Sequence, residues 1–218
     1  MFGRDSGGGD FERRREEMVD RLVETDRIER ESTVAALTAV PRHEFVPESR
    51  REDAYADRPL PIGADQTVSA PHMVGIMCDL LELDAGDRVL EVGTGCGYHA
   101  AVTAEIVGDG NVYSVEYVDR LAETARQRLA DLGYEVHVRV GDGNAGWPDH
   151  APYDAAYLTC AASSLPEAVI DQLREGGRVV APIGTTSQTL VRATKTGDGL
   201  RREEHGAVRF VRMQGGEA

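Results

Sequence analysis

A chain of 218 residues suffices for one sizeable α/β domain with at most a small appendage. Its formal net charge of −14 excludes the basic footprint with which proteins meet nucleic-acid phosphates, so no nucleic-acid partner is expected. Lys195 is the only lysine and the acids are spread along the whole chain, a surface expected of a protein adapted to a salty, halophilic cytoplasm, where counterions screen self-repulsion, with an ordinary acidic bacterial protein as the competing explanation.

Residues 1–9 are glycine-rich and are expected to lack fixed structure. The opening "MFGRDSGGGDFERRREE" has no apolar h-region, and no later segment approaches a membrane-spanning length, so a soluble cytoplasmic protein with no membrane partner is expected. From Asp10 a helical pattern begins, with Phe11, Met18, Val19 and Leu22 as its apolar stripe. "STVAALTAV" (32–40) is a second helix. The stretch 41–73 contains five prolines; its aromatic and apolar residues mark it as an ordered binding loop. A helix is predicted from Pro71 to Leu83, with proline in its first turn.

Beyond this point strands and helices alternate. "RVLEV" (88–92), "NVYSVE" (111–116), "VHVRV" (136–140), "YDAAYLT" (153–159) and "RVVAPIG" (178–184) read as strands. Helices are predicted at 98–107, 118–132 and 166–174. "TLVRATK" (189–195) and "GAVRFVRM" (206–213) complete the chain as an antiparallel pair. The pattern predicts an α/β fold: a doubly wound, mostly parallel, Rossmann-like sheet with helices on both faces and an antiparallel C-terminal strand pair. A helical N-terminal segment with its loop (10–83) and a ligand-binding core (84–218) are expected to form one compact domain. Cys78, Cys96 and Cys160 are far apart and form no C-x-x-C pair, so neither a disulfide framework nor a metal site follows. No self-association stripe stands out, and a monomer is expected.

The turn "VGTGCGYHAA" (92–101) follows the first core strand, where open α/β sheets bind ligands. A dinucleotide fingerprint calls for glycine or alanine three residues after Gly95, and Tyr98 stands there. No Lys-Ser/Thr follows to make a P-loop. Glu91 precedes the turn, where a carboxylate suits a cationic group. Glu116 ends the second strand, where an acid accepts from ribose hydroxyls. "GDG" (141–143) ends the third, placing Asp142 and the Gly143 amide to read an adenine edge. Together they suit an adenosine carrying a positively charged amino-acid tail, as in S-adenosylmethionine.

Several blocks, in order, resemble the protein-L-isoaspartate O-methyltransferase family: "VPRHEFVPE", "AYADRPLPIG", "QTVSAPHM", "LEVGTGCGYHAA", "GDGNAGWP", "APYDAAYLT" and "GGRVVAPIG". The glycine turn is common to many methyltransferases, whereas the proline-rich block "RPLPIG…QTVSAPHM" is specific. The resemblance implies S-adenosylmethionine as methyl donor and isoaspartyl-containing proteins and peptides as partners. It implies methylation of the free carboxylate of L-isoaspartyl (D-aspartyl) residues, after which the ester cyclises to a succinimide. It also implies that Gln66, Thr67 and Val68 close over the donor and that Ser69 is the catalytic residue. Glu91 with Gly93, Thr94, Gly95 and Gly97 then holds the methionine part, and Glu116, Tyr117, Asp142 and Gly143 hold ribose and adenine.

An ionised carboxylate needs no general base, so a serine that orients it is sufficient machinery. His72 reads as a capping or packing residue, and Tyr98 and His99 as packing around the donor. Cys96 and Cys160 are expected near the pocket. Cys160, Ser163 and Arg212 depart from the family's usual residues and flank the expected acceptor side. They leave open a same-fold methyltransferase acting on another substrate, or a non-catalytic adaptor that binds the donor.

Overall fold

The computed structural model describes residues 6–216. Helix α1 (Ser6–Glu24) starts ahead of Asp10, so residues 6–9, expected to lack fixed structure, are helical; residues 1–5 lie outside the described residues. Met18, Val19 and Leu22 are buried, facing α2 (Glu31–Ala39) as their helical spacing requires.

The expected loop 41–73 contains elements of its own. A helical turn α3 (Arg42–Phe45) and a 3-10 turn (Glu48–Asp53) precede a hairpin of β1 (Leu60–Gly63) and β2 (Gln66–Val68). Ala64 and Asp65 take φ of 51° and 56°, the left-handed turn that reverses a two-stranded ribbon. Pro61 is tolerated because an isolated ribbon consists only of edges. Helix α4 (Pro71–Leu81) opens on its proline.

The core runs β3 (Val89–Val92), α5 (Tyr98–Val107), β4 (Val112–Glu116), α6 (Asp119–Asp131), β5 (Val136–Val140), β6 (Tyr153–Leu158), α7 (Glu167–Asp171) and β7 (Leu173–Ile183). Strands β8 (Gln188–Thr196) and β9 (Gly199–Val208) complete a seven-stranded sheet in the order β5-β4-β3-β6-β7-β8-β9. The five strands β3 to β7 are mutually parallel; β7, β8 and β9 are antiparallel. This is the doubly wound sheet with an antiparallel C-terminal end.

Side chains alternate along β3. Leu90 and Val92 join Tyr113, Leu158 and Val179 on one face, covered by the short α7. Val89 joins the larger cluster on the other face, where Leu37, Met77 and Val102 from α2, α4 and α5 pack. The N-terminal helices therefore share a hydrophobic core with the sheet.

The last strand differs from its expected position at 206–213. Thr196 pairs with Gly199 across a two-residue Gly197-Asp198 turn, so β9 begins at Gly199 and ends at Val208. Phe210–Met213 leave the sheet. Ala161 N–H donates to the Val211 carbonyl at 2.7 Å, and Met213 N–H donates to the Ala161 carbonyl at 2.9 Å, which draws the tail past the carboxyl end of β6. Among the described residues no helix is long and apolar enough to cross a membrane.

Candidate active site

The sheet's winding reverses between β3 and β6, and a cleft opens beyond their carboxyl ends, the place such sheets offer a ligand. The glycine turn follows β3. Gly93, Gly95 and Gly97 have φ of 98°, 56° and 90°, which side chains disfavour. A Cβ on Gly93 would lie 2.3 Å from Thr159 Oγ1, so alanine is excluded there twice over. The three glycine amides are already engaged: Gly93 donates to the Val115 carbonyl at 2.8 Å, Gly95 to Glu116 Oε2 at 2.8 Å and Gly97 to the Thr94 carbonyl at 2.9 Å. Such a turn lends few amides to a pyrophosphate.

Glu116 is 6% exposed and lines the cleft. The amides of Gly95 and Val118 (3.0 Å) each take one of its oxygens, fixing the carboxylate while leaving acceptor capacity for hydroxyls. Tyr117, half exposed, stands on the rim; Gln66 and Thr67 from β2 form the opposite wall. Gly143 is part of the floor, where a Cβ would meet Val92 Cγ1 at 2.3 Å. Val68, Thr94 and Ser69 line an adjoining recess.

Of the expected residues, Gly97, Glu91 and Asp142 do not line the cleft or its recess, and Gly97 packs against Leu129 of α6. Glu91 is fully buried, because strand alternation turns it under α5 rather than into the cleft. Tyr157 OH donates to its Oε1 at 2.9 Å, and the Ser114 hydroxyl donates to its Oε2. Burial pushes its pKa to about 8 against the pull of these hydroxyls. Ser114 also meets Thr94 Oγ1 at 2.5 Å, so Glu91 reaches the glycine turn only through Ser114 and Thr94. Asp142 is held by other donors beside the cleft. It accepts from the backbone and side-chain nitrogens of Asn144, both at 2.9 Å, and from Gly216 N–H at 2.8 Å. Burial raises its pKa, but these donors outweigh it and hold the carboxyl below its ordinary value.

Ser69 lies in a second groove, which meets the cleft at Thr67, Thr159 and Val211. Arg209 is the one arginine in that groove's lining, which contains no acid. His72 Nδ1 lies 2.8 Å from Asp57 Oδ1, and the same oxygen accepts from His72 N–H at 3.0 Å. Asp57 thus meets the free amide at the start of α4, and Ser69 makes no side-chain cap.

Tyr98 and His99 are buried in the fold. His99 stacks on Tyr157 with ring centroids 4.2 Å apart, and burial lowers its pKa to about 3. Cys160 lines the cleft and Cys96 the recess; all three cysteines are free. Arg212 lies between the cleft and a polar hollow that includes Ser163. Thr159 and Val211 are site residues that sequence reading missed. Thr159 had a signal, its place at the end of the strand beside β3; Val211 had none in the local pattern.

The family profile described as protein-L-isoaspartate(D-aspartate) O-methyltransferase (PCMT) matches residues 13–218. Protein-L-isoaspartate O-methyltransferase 2 of Archaeoglobus fulgidus is 52% identical over 209 residues, covering 94% of this chain and 95% of that one. The Methanopyrus kandleri protein-L-isoaspartate O-methyltransferase is 49% identical, with 95% and 94% covered. Among solved structures, a protein-L-isoaspartate O-methyltransferase superposes with a TM-score of 0.84 at 32% identity, over 92% of this chain and 66% of that one.

Proposed function

Because this chain belongs to the protein-L-isoaspartate O-methyltransferase family, we propose that the cleft at the glycine turn holds the methyl donor and the adjoining groove the acceptor. The reaction moves a methyl group from S-adenosylmethionine to the free carboxylate of L-isoaspartyl residues in damaged proteins. S-adenosylmethionine supplies an electrophilic methyl carried on a sulfonium. The residues present suit it: Glu116 offers fixed acceptors for ribose hydroxyls, and Tyr117 and Gly143 offer apolar surface and bare backbone for the purine. Gln66, Thr67, Gly93 and Gly95 border the remaining length. Glu91 supports the turn from below, and Asp142 shapes the loop that carries Gly143.

The observation that carries this reading is the junction at Thr67, Thr159 and Val211, where the two hollows share walls. The acceptor carboxylate, with a pKa near about 4, is ionised at neutral pH. No base has to activate it. Ser69 is left to orient it, and the hairpin and tail to exclude water; such alignment is a recognised source of rate. Labelled donor should methylate an isoaspartyl peptide and leave its aspartyl twin unlabelled. Equal labelling of the two, or none at any salt concentration, would reject this substrate assignment.

The acid-rich surface supports a cytoplasm of high salt, and three free thiols suit its reducing conditions. The working unit is taken as a monomer, in keeping with like-charge repulsion between copies. A charge of −14 repels itself over about 10 Å at 0.1 M salt and over only about 3 Å at 1 M. The melting temperature should therefore rise from low to molar potassium chloride. A flat or falling curve would exclude the halophilic reading and leave the chemistry untouched.

A further inference from the structure

Arg42 is fully buried, and no carboxylate pairs with it among the described residues. Its partners are backbone carbonyls: Nη1 donates to Ala54, and Nη2 donates to Arg58 at 3.2 Å and to Ser69 at 3.0 Å. Its Cζ lies 5.5 Å from the ring centroid of Tyr98, the residue that opens α5 directly after the glycine turn. A buried cation is a poor source of stability, because desolvation offsets much of what its contacts return. What this one does is geometric. One rigid planar fork gathers three distant points of the chain, and its Cζ lies over the ring of a fourth.

Ser69 and Tyr98 line the site, and the other two points lie beside a residue that holds it. Ser69 is the residue assigned to the acceptor. Ala54 and Arg58 flank Asp57, which holds both the amide and the ring of His72 in the same groove. Tyr98 belongs to the donor side, and its ring edge also meets Phe45 with centroids 5.7 Å apart. We infer that Arg42 is a positioning residue: by clamping the Ser69 carbonyl while its cation lies over the Tyr98 ring, it sets the acceptor loop at its working distance from the donor turn. This rests on the assignment of Ser69 made above. It touches neither substrate nor donor and acts through the backbone of Ser69.

Arg42→Lys keeps the charge and loses the planar fork. Displacement of about 1 Å can cost about a hundredfold in rate, so kcat at saturating isoaspartyl peptide should fall by about tenfold or more. Affinity for S-adenosylhomocysteine should fall by less than kcat does, because the Glu116 side of the cleft is unchanged and only the Gln66–Thr67 wall loosens. Amide exchange at residues 66–70 should quicken while the sheet stays protected. In Arg42→Lys combined with Ser69→Ala the losses should not multiply, since both act on one contact. Unchanged exchange at 66–70, unchanged turnover per folded molecule, or multiplying losses would each overturn the inference. If Arg42→Lys does not fold, Arg42→Gln takes its place, and if neither folds Arg42 belongs to the fold alone. The exchange measurement judges Arg42 without reference to activity, whereas failure of the parent protein to methylate the peptide strikes the functional assignment.

Discussion

Ser69→Ala should leave the fold and the donor site intact and cut kcat at saturating isoaspartyl peptide by about tenfold or more, the rate equivalent of about 1.4 kcal/mol of lost transition-state contact. A serine just before a proline-initiated helix invites another explanation, that it caps free amides; losing a cap costs about 0.5–2 kcal/mol of stability. The structure removes that role. Helix α4 has no side-chain cap from its own flank, and the amide of His72 is met by Asp57. The Ser69 carbonyl is held by Arg42, and the residue lines the groove. Melting curves, donor calorimetry and initial rates on one preparation separate the possibilities. A variant that melts earlier yet methylates at the parent rate would remove Ser69 from the chemistry.

Glu116→Ala should weaken S-adenosylmethionine binding by roughly 1.5–3 kcal/mol, the range for hydrogen bonds to charged groups. That corresponds to a rise in Kd of about ten- to a hundred-and-fiftyfold. Two losses combine. The ribose hydroxyls lose a fixed acceptor, and the amides of Gly95 and Val118 lose the carboxylate that holds them. Because Gly95 belongs to the glycine turn, the turn itself loosens. Calorimetry with S-adenosylhomocysteine reads the affinity, and ligand-induced stabilisation on melting offers an independent check. Unchanged affinity would take Glu116 out of the site. NADH binding as tightly as S-adenosylmethionine would refute the choice of donor class.

The glycine turn, Glu116 and Gly143 could be read from sequence because each sits at the end of a strand whose apolar pattern is local. Strand ends in a parallel sheet converge on one edge, so residues at successive ends become neighbours without further information. Hydrophobic period and the proline of α4 located most elements in the same way. The hairpin at 60–68 escaped because its strands are short and Pro61 interrupts the pattern. The final strand was misplaced because the Gly197-Asp198 turn pairs it earlier than its apolar residues suggest.

Glu91 and Asp142 mark where reading along the chain ends. The sequence by itself determined that an acid stands at each position and that both lie near a ligand-binding edge. Which way each carboxylate points depended on strand alternation and on distant partners, Ser114 and Tyr157 for Glu91 and Gly216 for Asp142. The tail behaves alike: nothing within "FVRM" places Val211 beside Thr67, and its backbone bonds with Ala161 do so. Arg42 is the extreme case, a charged residue in a charged segment whose burial only packing could decide. Local pattern reports what a segment prefers over a few residues. A buried polar group is instead positioned by whichever donors and acceptors the fold brings within about 3 Å, and these come from anywhere in the chain.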